Sequence, residues 1–231
     1  GAILALGVTV AFYIVIQGKG RGRTIMALGA AALVVTIFAP STVWNRLSSL
    51  KSAAESGKVE DAKDDNSAEQ RLAIMKVAAD VAKAYPVMGV GWGAYPNANG
   101  EFARRSKYSE LAKGDRDAHN TYLTVAAETG FVGLSIWLGT IFMCVSVALR
   151  GMREVRPYVP EYALQIKFVL LTLLAYGLSG VFGSFAHMNS TYLHLMTVFS
   201  LGYMARQEAA TRAAAAGGGG MTMASGRRGR R

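Results

Sequence analysis

The chain has 231 residues, of which 52% are hydrophobic and 17% are charged, and its mean hydropathy is positive at +0.24. A soluble domain normally carries about 25% charged residues, so the composition argues against a soluble protein. The net charge of +10 would suit a nucleic-acid-binding protein, but only if the basic residues were gathered into a binding patch.

The apolar residues are concentrated in five runs that are nearly free of charge: residues 1–17, 24–40, 130–149, 162–182 and 191–205. A helix needs roughly 20 apolar residues to cross a bilayer. The first run follows neither an initiator Met nor a basic segment, so we interpret it as a helix of a fragment and not as a signal peptide. The pattern predicts an all-α polytopic membrane protein with about five transmembrane helices, two within residues 1–40 and three within residues 119–205.

The basic residues indicate the orientation of these helices. Thirteen of the 25 Lys and Arg residues lie in the short connections after the first and third runs, near the beginning of the fourth run (Lys167) and in the C-terminal segment. The other twelve lie in residues 41–118, where eleven acidic residues nearly balance them. Because uncompensated Lys and Arg mark the cytoplasmic side, residues 41–118 are predicted to form one large periplasmic loop. Residues 206–231 are predicted to be a disordered basic cytoplasmic tail, and membrane topology explains the basicity better than nucleic-acid binding does.

The predicted periplasmic loop contains one strong helical pattern, at residues 67–85. Ser67 and Gln70 have the spacing of a capping box, and Pro86 follows the pattern's end. On a helical projection Arg71 falls on the apolar side, away from the charged stripe. A guanidinium near a helix N-terminus suits a phosphate ligand. An alternative is that Arg71 extends to lipid phosphates at the membrane surface.

His119 lies where the polar loop meets the third apolar run. If residues 119–133 form one helix, His119 shares a face with Ala126, Gly130 and Gly133, which allow close packing of another helix. The imidazole would then lie at the water-accessible mouth of that packed face, where it can accept a proton near neutral pH. A structural histidine bonded to a loop carbonyl is the alternative.

The other polar residues near the membrane carry weaker signals. Glu128 is an acid at the start of a span, but on a straight helix it lies about 180° from His119, so we do not pair the two. His187 follows the fourth run, on the same side of the membrane as His119, and is predicted to line a substrate cleft there. His194 is interpreted as a helix-packing contact. The single Cys144 is interpreted as a packing residue, and the histidine spacing does not favour zinc.

The spaced motifs resemble those of the O-antigen ligase and O-antigen polymerase superfamily. His119-Asn120 is followed, after nine residues, by Gly130-Phe131-Val132-Gly133, and upstream lie Arg71, Tyr85-Pro86 and Gly89-Val90-Gly91. A large periplasmic loop followed by three spans is also similar to the family's C-terminal half. The resemblance covers most of residues 66–149.

The resemblance implies an inner-membrane glycosyltransferase that acts at the periplasmic face, inverts the anomeric carbon and needs no metal or other cofactor. Its donor is a glycan on undecaprenyl pyrophosphate, and its acceptor is a hydroxyl of lipid A-core, of another glycan or of a protein. By the same resemblance His119 activates the acceptor and Arg71 contacts the donor pyrophosphate. Asn120 either orients His119, binds sugar or caps the helix. A second donor-binding Arg belongs to the family's N-terminal half, which this sequence lacks.

Two other functions stay open at this point. An O-antigen polymerase, or a protein O-oligosaccharyltransferase of the same superfamily, would share these motifs. A non-catalytic transporter of lipid-linked glycans belongs to a different class, but it should carry charged or broken helices near mid-membrane, and the five runs contain almost none.

Overall fold

The computed structural model describes residues 2–16, 22, 25, 26, 29, 30, 63–106 and 110–225. Over these residues the fold is all-helical. The helices are α1 (Ala2–Ile16), α2 (Lys63–Ala84), α3 (Tyr95–Arg105), α4 (Thr121–Val155), α5 (Pro160–Ser179) and α6 (Asn189–Ser225). The all-α prediction is confirmed for this part of the chain.

Among the described residues, α4 and α5 are long and apolar enough to cross a membrane, and they contain the third and fourth predicted spans. The first predicted span coincides with α1, which has 15 residues, and the fifth lies inside α6. Most of the second, at residues 24–40, falls outside the described residues. Five spans therefore stay a prediction.

Helix α4 is sharply bent at Gly130, whose φ of 67° and ψ of −176° are not helical. The rings of Tyr122 and Trp137 lie 5.8 Å apart across this bend, whereas fifteen residues of straight helix would separate them by about 22 Å. The expectation of one continuous helix from His119 to Gly133 is therefore wrong. The section after the bend, residues 131–155, has about 37 Å of helix, which is enough to cross the hydrocarbon core.

The described residues of the predicted periplasmic loop, 63–106 and 110–118, form a small helical subdomain on the first section of α4. The buried side of α2 (Ala73, Ile74, Val77, Ala78, Val81 and Ala82) packs with Tyr95, Ala103, Ala126 and Ala127 in one core. Helix α2 begins four residues before the predicted start at Ser67, so the predicted capping box lies inside it. This subdomain places residues 85–94 and 112–120 beside the beginning of α4.

A second core joins the C-terminal part of α4, the beginning of α5 and residues 195–209 of α6. Gly151 and Gly202 lie in contact there, and a Cβ on either would overlap backbone of the facing helix. Helix α6 then continues to Ser225, in contrast to the disordered tail predicted from residue 206. Up to residue 216 this extension is favoured by alanine, which has the highest helix propensity, and by an Arg212–Glu208 ion pair of 2.7 Å one turn apart; the helix also includes four consecutive glycines at residues 217–220, which do not favour it.

Candidate functional site

His119 directly precedes α4 and has an unusual backbone conformation. Its φ of 50° makes it the one residue other than glycine, within the described part of the chain, with a positive φ. His tolerates this left-handed conformation better than most residues do. The side chain is partly buried and forms no hydrogen bond with another described residue. The loop-carbonyl partner considered from the sequence is thus not seen among the described residues.

Asn120 caps α4 and also holds the neighbouring loop. Its Oδ1 accepts a hydrogen bond from the Leu123 N–H at 3.0 Å, which is the usual role of an N-cap side chain. Its Nδ2 donates to the Val181 carbonyl at 3.1 Å. The capping role considered from the sequence is therefore confirmed, and both ends of the amide serve to fix the backbone beside His119.

The loop between α5 and α6, residues 180–188, closes over the beginning of α4. Thr121 donates its N–H to the Gly180 carbonyl at 2.7 Å and its hydroxyl to the Gly183 carbonyl at 2.7 Å. The same hydroxyl accepts from the Phe185 N–H at 2.9 Å. His187 lies on this loop, so the structure brings its segment to the end of α4 that carries His119.

The bend at Gly130 is filled by residues 86–91, which connect α2 to α3. The Val90 N–H donates to the Ala127 carbonyl at 2.9 Å, and the Gly91 N–H donates to the Glu128 carbonyl at 2.9 Å. A Cβ on Gly89 would overlap the Glu128 backbone, and a Cβ on Gly130 would overlap the Val87 carbonyl. The glycines of the motif therefore join the loop to the bent helix.

Glu128 is buried beside this joint and pairs with His187. Its Oε2 lies 2.6 Å from His187 Nε2, and its side chain is 0% exposed whereas that of His187 is 40% exposed. Its Oε1 accepts from the Tyr95 N–H at 3.3 Å. Trp92 lies against His187, with ring centroids 4.6 Å apart and planes at 87°. The sequence does not reveal this pair, because a straight helix over residues 119–133 places Glu128 away from His119 and gives no indication of His187 as its partner.

A buried polar network supports the other side of Glu128. The Tyr95 hydroxyl lies 3.1 Å from the Ile74 carbonyl and 3.0 Å from Asn99 Oδ1. Asn99 Nδ2 in turn donates to the Ala112 carbonyl at 2.9 Å. Burial raises the pKa of the Tyr95 hydroxyl, and the nearby Asp117 charge adds to this effect. The network holds the start of α3, and with it the Tyr95 N–H, against the carboxyl group.

Arg71 lies on α2, one turn before the buried Ile74, and its side chain is exposed. It forms no ion pair or hydrogen bond with another described residue. Its role in binding a phosphate stays a prediction. His194 forms a helix-packing contact as predicted, since its Nε2 lies 3.0 Å from the Thr172 hydroxyl.

An apolar groove of about 860 Å³ runs between α1, the second section of α4 and α5. Tyr122, Gly177 and Val181 line one end, and Arg153, Arg156 and Lys167 line the other. Its residues on α5 extend from Pro160 to Leu178, about 27 Å of helix, which approaches the roughly 30 Å thickness of the hydrocarbon core. The first end adjoins the loop held by Asn120.

Residues 1–138 match the family model described as O-antigen ligase. The chain belongs to the O-antigen ligase family. The resemblance inferred from the spaced motifs is thereby confirmed, and the matched region includes Arg71, His119, Glu128 and Gly130, but not His187. Membership indicates a membrane protein with glycosyltransferase activity of the O-antigen ligase or polymerase kind, acting on lipid-linked glycans. No curated protein matches the chain significantly.

Proposed function

We propose that this O-antigen ligase family member transfers a glycan from undecaprenyl pyrophosphate to an acceptor hydroxyl at the periplasmic face of the inner membrane. The observation that carries the proposal is His119 itself. It lies within the family match, its backbone is held in a left-handed conformation, and its imidazole has no hydrogen-bond partner among the described residues. A group that takes a proton from a substrate must keep a nitrogen free for that substrate.

The proposed reaction is a displacement at the anomeric carbon of the donor glycan. His119 accepts the proton of the acceptor hydroxyl, and the acceptor oxygen forms the new glycosidic bond. The bond between the anomeric carbon and the pyrophosphate oxygen breaks, and undecaprenyl pyrophosphate leaves with the electron pair. A single displacement of this kind inverts the anomeric configuration. The proposal assigns no step to a metal, so transfer should persist in a chelator.

Arg71 is proposed to bind the pyrophosphate of the donor. The leaving group gains negative charge as the bond breaks, and a guanidinium placed there stabilises that charge. The exposure of Arg71 and its lack of a described ion-pair partner are compatible with a ligand yet to bind. The apolar groove between α4 and α5 supports the same donor, because it offers a hydrocarbon surface for a polyprenyl chain next to the loop held by Asn120.

Asn120 and His187 are proposed to act on the acceptor side. Asn120 fixes the backbone on either side of the reaction site, and His187 offers an exposed imidazole on the loop that closes over α4. A polymerase would use the same groups, and its acceptor would be the terminal sugar of a second lipid-linked glycan. The residues described here do not favour one acceptor over the other.

The test of this proposal is His119→Ala in the intact protein, assayed for glycan transfer in membranes. Loss of a general base lowers rates by roughly 10²–10⁴, so transfer should be nearly abolished while the protein still accumulates. His194→Ala is the matched control, because His194 only bridges α5 and α6, and it should retain transfer. Normal accumulation with wild-type transfer in His119→Ala would contradict the catalytic role and favour a transporter.

A further inference from the structure

Three elements meet at the Glu128 carboxyl group. Glu128 belongs to α4, His187 to the loop after α5, and Trp92 to the loop between α2 and α3. A carboxyl group with no exposed surface is costly unless its oxygens are hydrogen-bonded. Here Oε1 receives the Tyr95 N–H at 3.3 Å and Oε2 faces His187 Nε2 at 2.6 Å. The only part of this cluster that reaches solvent is the imidazole and the indole beside it.

The buried carboxylate determines which nitrogen of His187 carries the proton. An ionised carboxylate only accepts hydrogen bonds, so beside an ionised Glu128 the facing Nε2 carries the proton. In the neutral imidazole the Nδ1 atom then keeps a lone pair and acts as an acceptor. Among the described residues nothing bonds to Nδ1, and the ring is 40% exposed.

We propose that Glu128 is a positioning residue that fixes His187 in the Nε2–H tautomer, and that His187 and Trp92 together bind a sugar ring of the acceptor. This inference rests on the proposed function and deepens it. His187 Nδ1 would accept a hydrogen bond from a sugar hydroxyl. Trp92, which is 53% exposed, would cover the apolar C–H face of the same ring. An aromatic surface with one placed polar group is the usual composition of a small-molecule site.

The assignment to a sugar and not to a polyprenyl chain follows from position. The cluster lies on the loops at the end of α4 that follows His119, outside the residues that line the apolar groove. A polyprenyl chain must stay in hydrocarbon, whereas the sugars of donor and acceptor both lie in water, so the acceptor and donor KM values are measured separately. Trp92 as a simple membrane-interface anchor is the competing explanation, and it predicts no effect on acceptor binding.

The tautomer is tested first, without reference to transfer. The chain has only three histidines, so ¹⁵N-histidine labelling gives three pairs of ring signals, one Nδ1 and one Nε2 for each histidine, which single substitutions assign. His187 should show a protonated Nε2 and an unprotonated Nδ1. In Glu128→Gln the amide keeps an acceptor for the Tyr95 N–H and offers its NH₂ to Nε2, so the proton should move to Nδ1. An unchanged tautomer in Glu128→Gln would overturn the positioning role.

The binding role is tested by kinetics in the intact protein, with acceptor and donor varied separately. Loss of one hydrogen bond of about 1.4 kcal/mol corresponds to roughly tenfold. Glu128→Gln and His187→Gln should each raise the acceptor KM about that much, with little change in donor KM. Trp92→Ala, which removes the aromatic surface, should also raise the acceptor KM and leave the donor KM unchanged. Trp92→Ala removes an exposed side chain and keeps the test valid if Glu128→Gln fails to accumulate. Tyr158→Ala, an exposed aromatic at the opposite end of α4, is the control and should behave as wild type.

The outcomes separate this inference from the proposed function. If Glu128→Gln, His187→Gln or Trp92→Ala raises the donor KM, or lowers kcat with the acceptor KM unchanged, the acceptor site is overturned while His119 remains the base. Unaltered kinetics in Trp92→Ala would support the membrane-anchor explanation and overturn the sugar platform. If His119→Ala retains transfer, the proposed function fails whatever the ¹⁵N spectra show.

Discussion

The Phe131 N–H donates its hydrogen bond to the Pro86 carbonyl, 2.7 Å away, and not to a carbonyl of its own helix. At the bend, α4 thus exchanges helical hydrogen bonds for bonds to the loop between α2 and α3. Buried backbone groups left without partners are costly, so the loop is what permits a sharp bend at the start of a membrane-crossing section.

Gly130→Ala should strongly destabilise the protein. The added methyl group would overlap the Val87 carbonyl, and φ of 67° is strained for alanine. We expect much lower accumulation and a lower melting temperature in detergent. Gly139→Ala is the control, since a Cβ there meets nothing within 4 Å. Equal accumulation of the two variants would contradict the close packing of the loop between α2 and α3 against Gly130.

Close helix packing should depend on Gly151 and not on Gly133. The sequence predicted that Gly133 packs against another helix, but the three atoms nearest to a Cβ there belong to the Thr129 side chain, four residues earlier in α4. At Gly151 a Cβ would overlap the Gly202 carbonyl of α6. Gly151→Leu should therefore reduce accumulation severely, and Gly133→Leu should do so less. The reverse order, measured by membrane immunoblot, would contradict the packing described here.

Arg71→Lys should reduce transfer nearly as much as Arg71→Ala does. A lysine supplies a charge but not the two parallel N–H groups that match a phosphate, so both variants should raise the donor KM. Arg104→Ala, which removes an exposed charge from the neighbouring α3, is the control. Wild-type kinetics in Arg71→Ala would reduce Arg71 to a surface residue that contacts lipid headgroups.

The subdomain of α2 and α3 should lie outside the cytoplasm. In a Cys144→Ala background, Lys113→Cys should react with a membrane-impermeant thiol reagent in intact spheroplasts, because residue 113 is exposed and the uncompensated basic residues mark the opposite side. Arg156→Cys, at the far end of α4, should react only after lysis. The opposite pattern would invert the topology and remove the periplasmic reaction.

Periodicity and composition predicted α2, α4, α5 and the apolar part of α6, because a run of apolar residues or a one-sided stripe is visible along the sequence, but they did not predict α3. The His119-Asn120 and glycine motifs indicated the family, which the family match confirms, while the roles of these residues stay predictions. The Glu128–His187 pair was not predictable, since 59 residues separate the partners and a bend at Gly130 sets their approach. Gly130 is the one sequence feature that could have indicated the bend, but a glycine in an apolar run equally indicates a small residue for helix packing, and the sequence does not show its positive φ.

The joint at Gly130 has a consequence for which sequences can build it. It is made from main-chain N–H and C=O groups. The side-chain requirement is that residues 89 and 130 have no Cβ, which only glycine satisfies. Val87 and Met88, which are 60% and 78% exposed, contribute their backbone to the joint and direct their side chains away from it. A saturation scan across this loop should thus tolerate almost any residue at positions 87 and 88 and almost none but glycine at position 89.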